Sequence, residues 1–222
     1  MAGMATAGAP EEQQPAPTRL DRRKARTRRA LVDAARALLV ERGTDDVSIQ
    51  EITDRADVGF GSFYNHFTTK ADLFEVAVTE ALAEHGAYLD EVTAGLEDPA
   101  EIFAVSYRAT AMLADTHPAM ARILVGMGLA YLADERGLGP RALRDIERAA
   151  AAGRFSVVDP YLALVGIAGC LYAYLQARLT APERLTPSAA DDLAEQVLRM
   201  LGMPARSARA VAHRPLPAAV RR

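Results

Sequence analysis

Ser48-Ile49-Gln50-Glu51-Ile52-Thr53-Asp54-Arg55-Ala56-Asp57-Val58-Gly59-Phe60-Gly61-Ser62-Phe63-Tyr64-Asn65-His66, followed by Phe67 and Lys70, is the stretch whose reading decides the fold. Ser48 and Glu51 have the spacing of a capping box, which satisfies otherwise orphaned N–H groups, so a helix is expected from about Ile49. Ile49, Ile52 and Ala56 fall on one face at packed-helix spacing, while Gln50, Asp54 and Arg55 point elsewhere. Asp57-Val58-Gly59 breaks this pattern, with Val58 expected to plug the corner, and Phe63 and Phe67 resume an apolar face four residues apart. Phe60, Ser62, Tyr64, Asn65 and His66 remain outward. Two short helices at a sharp turn are the geometry that puts a second helix into the major groove, which makes DNA the expected partner. Taken alone, the segment also reads as an amphipathic hairpin with no ligand.

Its neighbours favour DNA. Arg19-Leu20-Asp21-Arg22-Arg23-Lys24-Ala25-Arg26-Thr27-Arg28-Arg29 concentrates cations beside the proposed reading head. In the helix that follows, Leu31, Ala35, Leu38 and Leu39 form the packing stripe and Gly43 supplies a stop signal. The result is a three-helix head. Thr68-Thr69-Lys70-Ala71-Asp72 opens another helix, whose N-terminus and Lys70 suit a phosphate.

Val58, Gly61, Ser62, Tyr64, His66, Phe67 and Lys70, followed by Leu73-Phe74, together resemble the DNA-binding signature of TetR-family transcriptional regulators, over roughly residues 25 to 75. The resemblance implies a homodimeric repressor that binds a double-stranded DNA operator, and a small-molecule effector held in the larger C-terminal domain. Carried onto this sequence, it makes Gln50 and Asn65 the candidates for base edges, because an amide can donate and accept together to adenine. Phe60 and Ser62 come next. Ser48, Tyr64, His66 and Lys70 suit phosphate contacts that set register; His66 equally suits a structural role at the helix end. Two positions depart from the family pattern. Asp57 stands where Gly is frequent, and Gly59 where a capping Ser or Thr is frequent, so capping by Asp57 or by backbone is expected to compensate. Phe60 replaces a polar residue; its ring can touch a thymine methyl or tuck back against the head.

The formal net charge is −3, which suits a DNA binder only once it is divided along the chain. Residues 19–42 carry net +6, residues 206–222 net +5, and residues 43–205 net −12. Local field, not total charge, governs nucleic-acid binding. The expected organisation is a disordered tail over residues 1–18, a helix-turn-helix DNA-binding domain with its basic arm over 19–67, a helical ligand-binding and dimerisation domain over 68–203, and a flexible basic tail over 204–222. The fold class is all-α. The N-terminal stretch lacks the basic and apolar blocks of a secretory signal. The most apolar segment, residues 161–179, is interrupted by Gly166, Gly169, Gln176 and Arg178 and reads as a buried helix, so no membrane span is expected. Cys170 is the single cysteine, read as core packing in a cytoplasmic protein.

The body reads as helices broken near residues 95–99, 117–118, 137–140, 153–160 and 180–187. Leu164, Ile167, Leu171 and Leu175 form one stripe, and Leu193, Val197, Leu198 and Leu201 another; either they meet a second copy in a four-helix bundle or they pack inside one subunit. Phe103, Tyr107, Met112, Met120, Leu124, Met127, Tyr131 and Tyr174 are the candidate walls of a pocket for a largely hydrophobic ligand. Scattered histidines and the absence of any metal or phosphate-loop motif argue against catalysis, so no catalytic residue, metal or cofactor is expected. A ligand-independent or sequence-tolerant DNA binder is the alternative, and a helical enzyme a distant third.

Overall fold

The computed structural model describes residues 18–42, 47–132 and 137–221. The expected N-terminal tail up to Pro17 and the Gly43 stop signal lie outside these residues. Among the described residues every regular element is a helix. α1 (Arg19–Arg42) runs without a break through the basic stretch and the packing stripe, so that stretch is helical rather than a loose arm. α2 (Ile49–Arg55) starts at the expected capping box: Glu51 N–H donates to Ser48 Oγ at 3.2 Å, and Ser48 N–H donates to Glu51 Oε2 at 2.8 Å. Arg42 adds a 2.7 Å bond to Glu51, and backbone, Arg42 and Ser48 bonds in that order hold its carboxyl down at about 2.

α3 (Phe60–Phe63) is short, and a tightened turn through His66 continues it, with His66 N–H donating to Phe63 O at 2.9 Å. α4 (Lys70–Thr93) begins at a second capping box, Thr69 with Asp72. The head core comprises Leu31, Val32, Ala35 and Leu38 of α1, Ile52, Phe63 and Phe67, and Leu73, Phe74 and Ala77 of α4. The expected boundary at residue 67 therefore cuts through one core, which the first turns of α4 complete. Arg28 reaches Glu80 at 2.9 Å and Arg36 grips Glu84 at 2.9 and 3.0 Å, pinning α1 along α4.

The body follows as α5 (Pro99–Ala111), α6 (Leu113–Thr116), α7 (Pro118–Met127), a 3-10 turn (Gly128–Leu132), α8 (Leu138–Ala151), α9 (Pro160–Thr180), α10 (Ala189–Met200) and α11 (Ala205–Ala212). Prolines open α5, α7 and α9 where their missing N–H costs nothing, and Asp98 and Asp159 cap the first and last of these. Leu164, Ile167 and Leu175 of α9 and Val197 and Leu198 of α10, with Leu201 just beyond it, are buried within the subunit, Leu171 and Leu193 partly so. Both stripes are thus spent on this chain's own core. The outward face of the pair instead shows Tyr161, Leu162, Val165 and Met200. α9 spans 21 residues with a mean hydropathy of 1.4 in its most apolar window, long and apolar enough by length and composition alone to cross a bilayer, yet it places Leu164, Ile167 and Leu175 in the body's core clusters. Cys170 packs partly buried against the body core, as expected.

The C-terminal stretch also differs from expectation. Ala208, Val211 and Ala212 of α11 are buried against α5 and α10, and Leu216 and Val220 are buried beside Leu89, Val92, Val105 and Ala109. Residues 204–220 are structural because their small and aliphatic residues recur at helical spacing, which leaves the arginines outside. Arg108, only 4% exposed, fastens this segment by donating to Asp191 Oδ1 at 2.7 Å and to the Arg214 carbonyl at 2.8 Å.

Candidate DNA interface and body cavity

The turn between α2 and α3 is set by Asp57, a non-glycine residue at φ 52°. Gly59 begins α3 with extended backbone and no side-chain cap, so the compensation expected from Asp57 is not made; Ser62 N–H donates to the Gly59 carbonyl at 2.8 Å instead. Val58 is half-buried against the head core, as the corner demanded. Phe60 stays 46% exposed and packs edge-on against Tyr64, ring centroids 5.8 Å apart, with Tyr64 itself 56% exposed. Phe60 therefore does not tuck into the head. The two rings make a raised aromatic surface on α3, beside exposed Asn65 and half-buried Ser62 and His66.

Three of the candidate contacts carry bonds within the protein. Ser48 and Glu51 form the capping box, Gln50 Nε2 donates to Asp54 Oδ1 at 2.6 Å, and Lys70 Nζ donates to the Val47 carbonyl at 2.8 Å. Lys70 thus secures the entry to α2, which the spacing alone could not reveal because its partner is backbone. Burial, then the cations of Arg28 and Lys24, lower the His66 pKa. Arg19, Arg22, Arg23, Lys24 and Arg26 are exposed on the first turns of α1, whereas Arg28 is committed to Glu80 and lies over the Phe67 ring at 5.5 Å.

A cavity of about 80 Å³ lies in the body between α4, α5, α7, α8 and α9. Phe103, Tyr107 and Leu124 line it, as the sequence suggested, together with Leu89, Leu164, Ile167 and Leu171. Met112 packs instead beside Leu89 and Val105, and Met120, Met127 and Tyr174 join a separate apolar cluster around Leu82 and Leu175. The Tyr131 side chain lies outside what is described. The methionines and tyrosines marked interior faces in general, not the face turned to the cavity.

The polar wall was missed altogether. Ser106, Thr110, Arg141, Asp145 and Tyr172 reach the cavity from α5, α8 and α9. Arg141 lies across α4 where Gly86 leaves room, since a Cβ there would stand 3.3 Å from Arg141 Nη2, and grips Asp90 with both terminal nitrogens, Nη2 at 2.8 Å from Oδ2. Burial pushes the Asp145 carboxyl up, with Arg144, Arg141 and Arg148 opposing. These residues sit in a strongly amphipathic, charge-rich helix, where the usual expectation is solvation; the start of α8 is close enough to the 3-10 turn that only Gly139 fits beside the Leu132 carbonyl, and this crowding turns α8 inward.

A groove between α1, α4 and α7 lies next to the cavity, lined by Arg36, Glu84, His85, His117 and Met120. His85 forms part of the wall between the two: its Nε2 is 3.0 Å from Thr110 Oγ1, whose own proton goes to the Ser106 carbonyl at 2.8 Å. With its proton placed there, Thr110 accepts from His85 as the neutral Nε2–H tautomer. Burial, then His117 and Arg141, push the His85 pKa down to about 4. Among the described residues no cluster of possible metal ligands occurs.

Residues 31–77 match the family model described as bacterial regulatory proteins, tetR family, and residues 98–214 match tetracyclin repressor-like, C-terminal domain. The crystal structure of RolR in complex with resorcinol is similar at a TM-score of 0.70 and 37% identity, over 88% of this chain and 97% of that one. RolR without ligand gives 0.68 and 38%, over 85% and 98%. The HTH-type transcriptional repressor KstR2 of Rhodococcus jostii (strain RHA1) is 29% identical over 44% of this chain and 48% of its own length. The transposon Tn10 TetC protein of Escherichia coli is 40% identical over 30% of this chain and 34% of its own. The matched region thus spans less than half of either of these two curated relatives. With a matching head, a matching body and the fold of RolR nearly end to end, this chain belongs to the TetR family of bacterial regulatory proteins.

Proposed function

We propose that the chain works in the cytoplasm as a homodimeric repressor that binds a palindromic operator and releases it when a small, largely hydrophobic ligand enters the cavity. The observation that carries this reading is the double membership of α4. Its first turns build the head core through Leu73, Phe74 and Ala77, and its last turns carry Asp90, held by the cavity residue Arg141. A ligand that shifts α8 against α4 acts on the orientation of the head. Coupling of this kind requires differential affinity for two head arrangements, typically about 1–3 kcal/mol. RolR, crystallised with resorcinol, and KstR2, a transcriptional repressor, lend support by similarity.

On DNA, Asn65 and Gln50 read base edges, Gln50 after giving up its bond to Asp54; Phe60 and Ser62 contact the groove, and Ser48, Tyr64, His66 and Lys70 hold phosphates. The exposed face of Leu162, Val165 and Met200 is the seat of the second copy, and a two-fold axis there sets paired heads about 34–36 Å apart, one turn of DNA.

Selection of bound duplexes from a random pool tests the DNA half. A palindromic winner is expected. Equal affinity for random and selected duplexes would favour the sequence-tolerant reading instead.

A further inference from the structure

Among the described residues of the head, Leu20, Phe60 and Tyr64 are the large apolar side chains left exposed. Leu20 stands among the arginines at the start of α1, and Tyr64 carries a hydroxyl that suits a phosphate. Phe60 has no polar side-chain atom, and it is the first residue of α3, at the end that a helix-turn-helix leads into the groove. Its ring is held in advance. Phe60 packs edge-on to Tyr64 at 5.8 Å, Tyr64 packs edge-on to Phe63 at 5.3 Å, and Phe63 is fully buried in the head core. Little side-chain freedom is therefore left to lose on contact.

The glycines on either side point the same way. Neither Gly59 nor Gly61 occupies left-handed backbone, a Cβ on Gly61 would meet nothing within 4 Å, and one on Gly59 nothing nearer than Ser62 Oγ at 3.8 Å. Packing within the head does not demand them. They leave bare backbone on both flanks of the ring, so that it can close on a surface at van der Waals distance.

The major groove offers one apolar substituent. Guanine, adenine and cytosine present donors and acceptors there, whereas thymine adds its C5-methyl. A phenyl ring set against the first three desolvates polar atoms without giving them a partner, and set against the methyl it covers apolar surface. We propose that Phe60 is a specificity-determining residue that reads the C5-methyl of one pyrimidine in each operator half-site, so that 5-methylcytosine substitutes for thymine at that position and unmodified cytosine does not. This rests on the reading of α3 as the helix that enters the major groove of a paired operator. An operator with cytosine there is bound according to its methylation state, because the methyl sits on the same ring carbon in both bases.

The test uses the full chain and the duplex recovered by selection from a random pool, in which each thymine in turn is replaced by deoxyuridine in both half-sites, removing the methyl alone. One position is expected to lose about tenfold in affinity, two methyls being uncovered there. At that position a 5-methylcytosine–guanine pair is expected to bind within about threefold of thymine–adenine, and unmodified cytosine about tenfold more weakly than its methylated form. Phe60→Ala, an exposed substitution whose folding is checked by circular dichroism, is expected to bind the thymine and deoxyuridine duplexes within about twofold of each other. A penalty that Phe60→Ala keeps in full would overturn the proposal, as would a deoxyuridine scan with no responsive position, the result expected of a ring that wedges between base steps instead. Where the variant binds too weakly to compare, the scan and the cytosine exchange on the unaltered chain decide. A selected palindrome with a flat scan removes the methyl reading alone; failure to select any duplex over random sequence removes the groove reading of α3 and this proposal with it.

Discussion

Arg141 holds Asp90 across the bare Cα of Gly86, so a residue of the cavity wall is tied to the helix that also builds the head core. The Asp90 side chain is 65% exposed and that of Arg141 26%, which makes the pair worth at most about 1 kcal/mol of stability. Its value is positional. Asp90→Asn is expected to leave the unfolding midpoint almost unchanged while reducing the ligand-induced loss of DNA affinity at least threefold, read by anisotropy with and without ligand.

His85 gives a defined pH dependence. Its folded pKa of about 4 lies below the ordinary 6.5, so as pH falls below 6.5 the unfolded chain takes up a proton that the folded one refuses. Stability contributed by the neutral imidazole is complete above that value, drains away between pH 6.5 and 4, and changes no further below, a loss on the order of a few kcal/mol. Urea midpoints at pH 7.5 and pH 5 should therefore differ more for the unaltered protein than for His85→Gln.

Asp57 occupies left-handed backbone, which glycine adopts without a Cβ penalty. Asp57→Gly is expected to stabilise the head by about 0.5–1 kcal/mol. Gly59→Ser, whose Cβ would meet nothing nearer than Ser62 Oγ at 3.8 Å, adds the absent cap and a few tenths of a kcal/mol. Thermal unfolding of the two variants and their combination checks both, since residues this close need not contribute additively.

Leu162 and Val165 are solvent-facing in a single subunit, 68% and 37% exposed. Replacing both by Glu should cost little helicity by circular dichroism and convert a dimer into a monomer by light scattering. Affinity for a full palindrome should drop at least a hundredfold, and affinity for a half-site should stay the same. A double variant that remains dimeric would place the interface elsewhere.

Lys70→Ala removes the bond to the Val47 carbonyl as well as a phosphate contact. It should weaken binding to every duplex alike and lower head stability by about 1 kcal/mol. Asn65→Ala should instead change the sequence recovered by selection, with stability within about 0.5 kcal/mol because the side chain is exposed.

The head was legible because its signals are local. A capping box, a packing stripe and two phenylalanines four residues apart are decided within a few turns of chain, and each is found where the spacing put it. The closure of that core by α4 was not, since Leu73 and Phe74 look the same in sequence whichever core they join. The cavity was read only in part. Residue type located Phe103, Tyr107 and Leu124, but Arg141 is held by Asp90, 51 residues away in the chain, and Asp145 follows it one turn along the same helix, which no local pattern encodes. The stripes on α9 and α10 showed which faces are apolar and could not say whether the same subunit or another covers them. The C-terminal arginines drew attention to charge and away from the alanines and valines between them, which decide that the segment packs.

α11 has a consequence for the order in which the protein is made. The head core draws on residues 31–77, whereas the body core needs Ala208, Val211 and Ala212 against Phe103 and Tyr107. Domains fold as units during synthesis, the N-terminal one first. A ribosome that has released the head still holds the residues that close the body, so the nascent chain carries a finished reading surface while α5 and the buried Arg108 wait for the segment that satisfies them. Pausing of translation within the codons for α10 and α11 would prolong that exposure, and nascent-chain cross-linking to duplex DNA would reveal it.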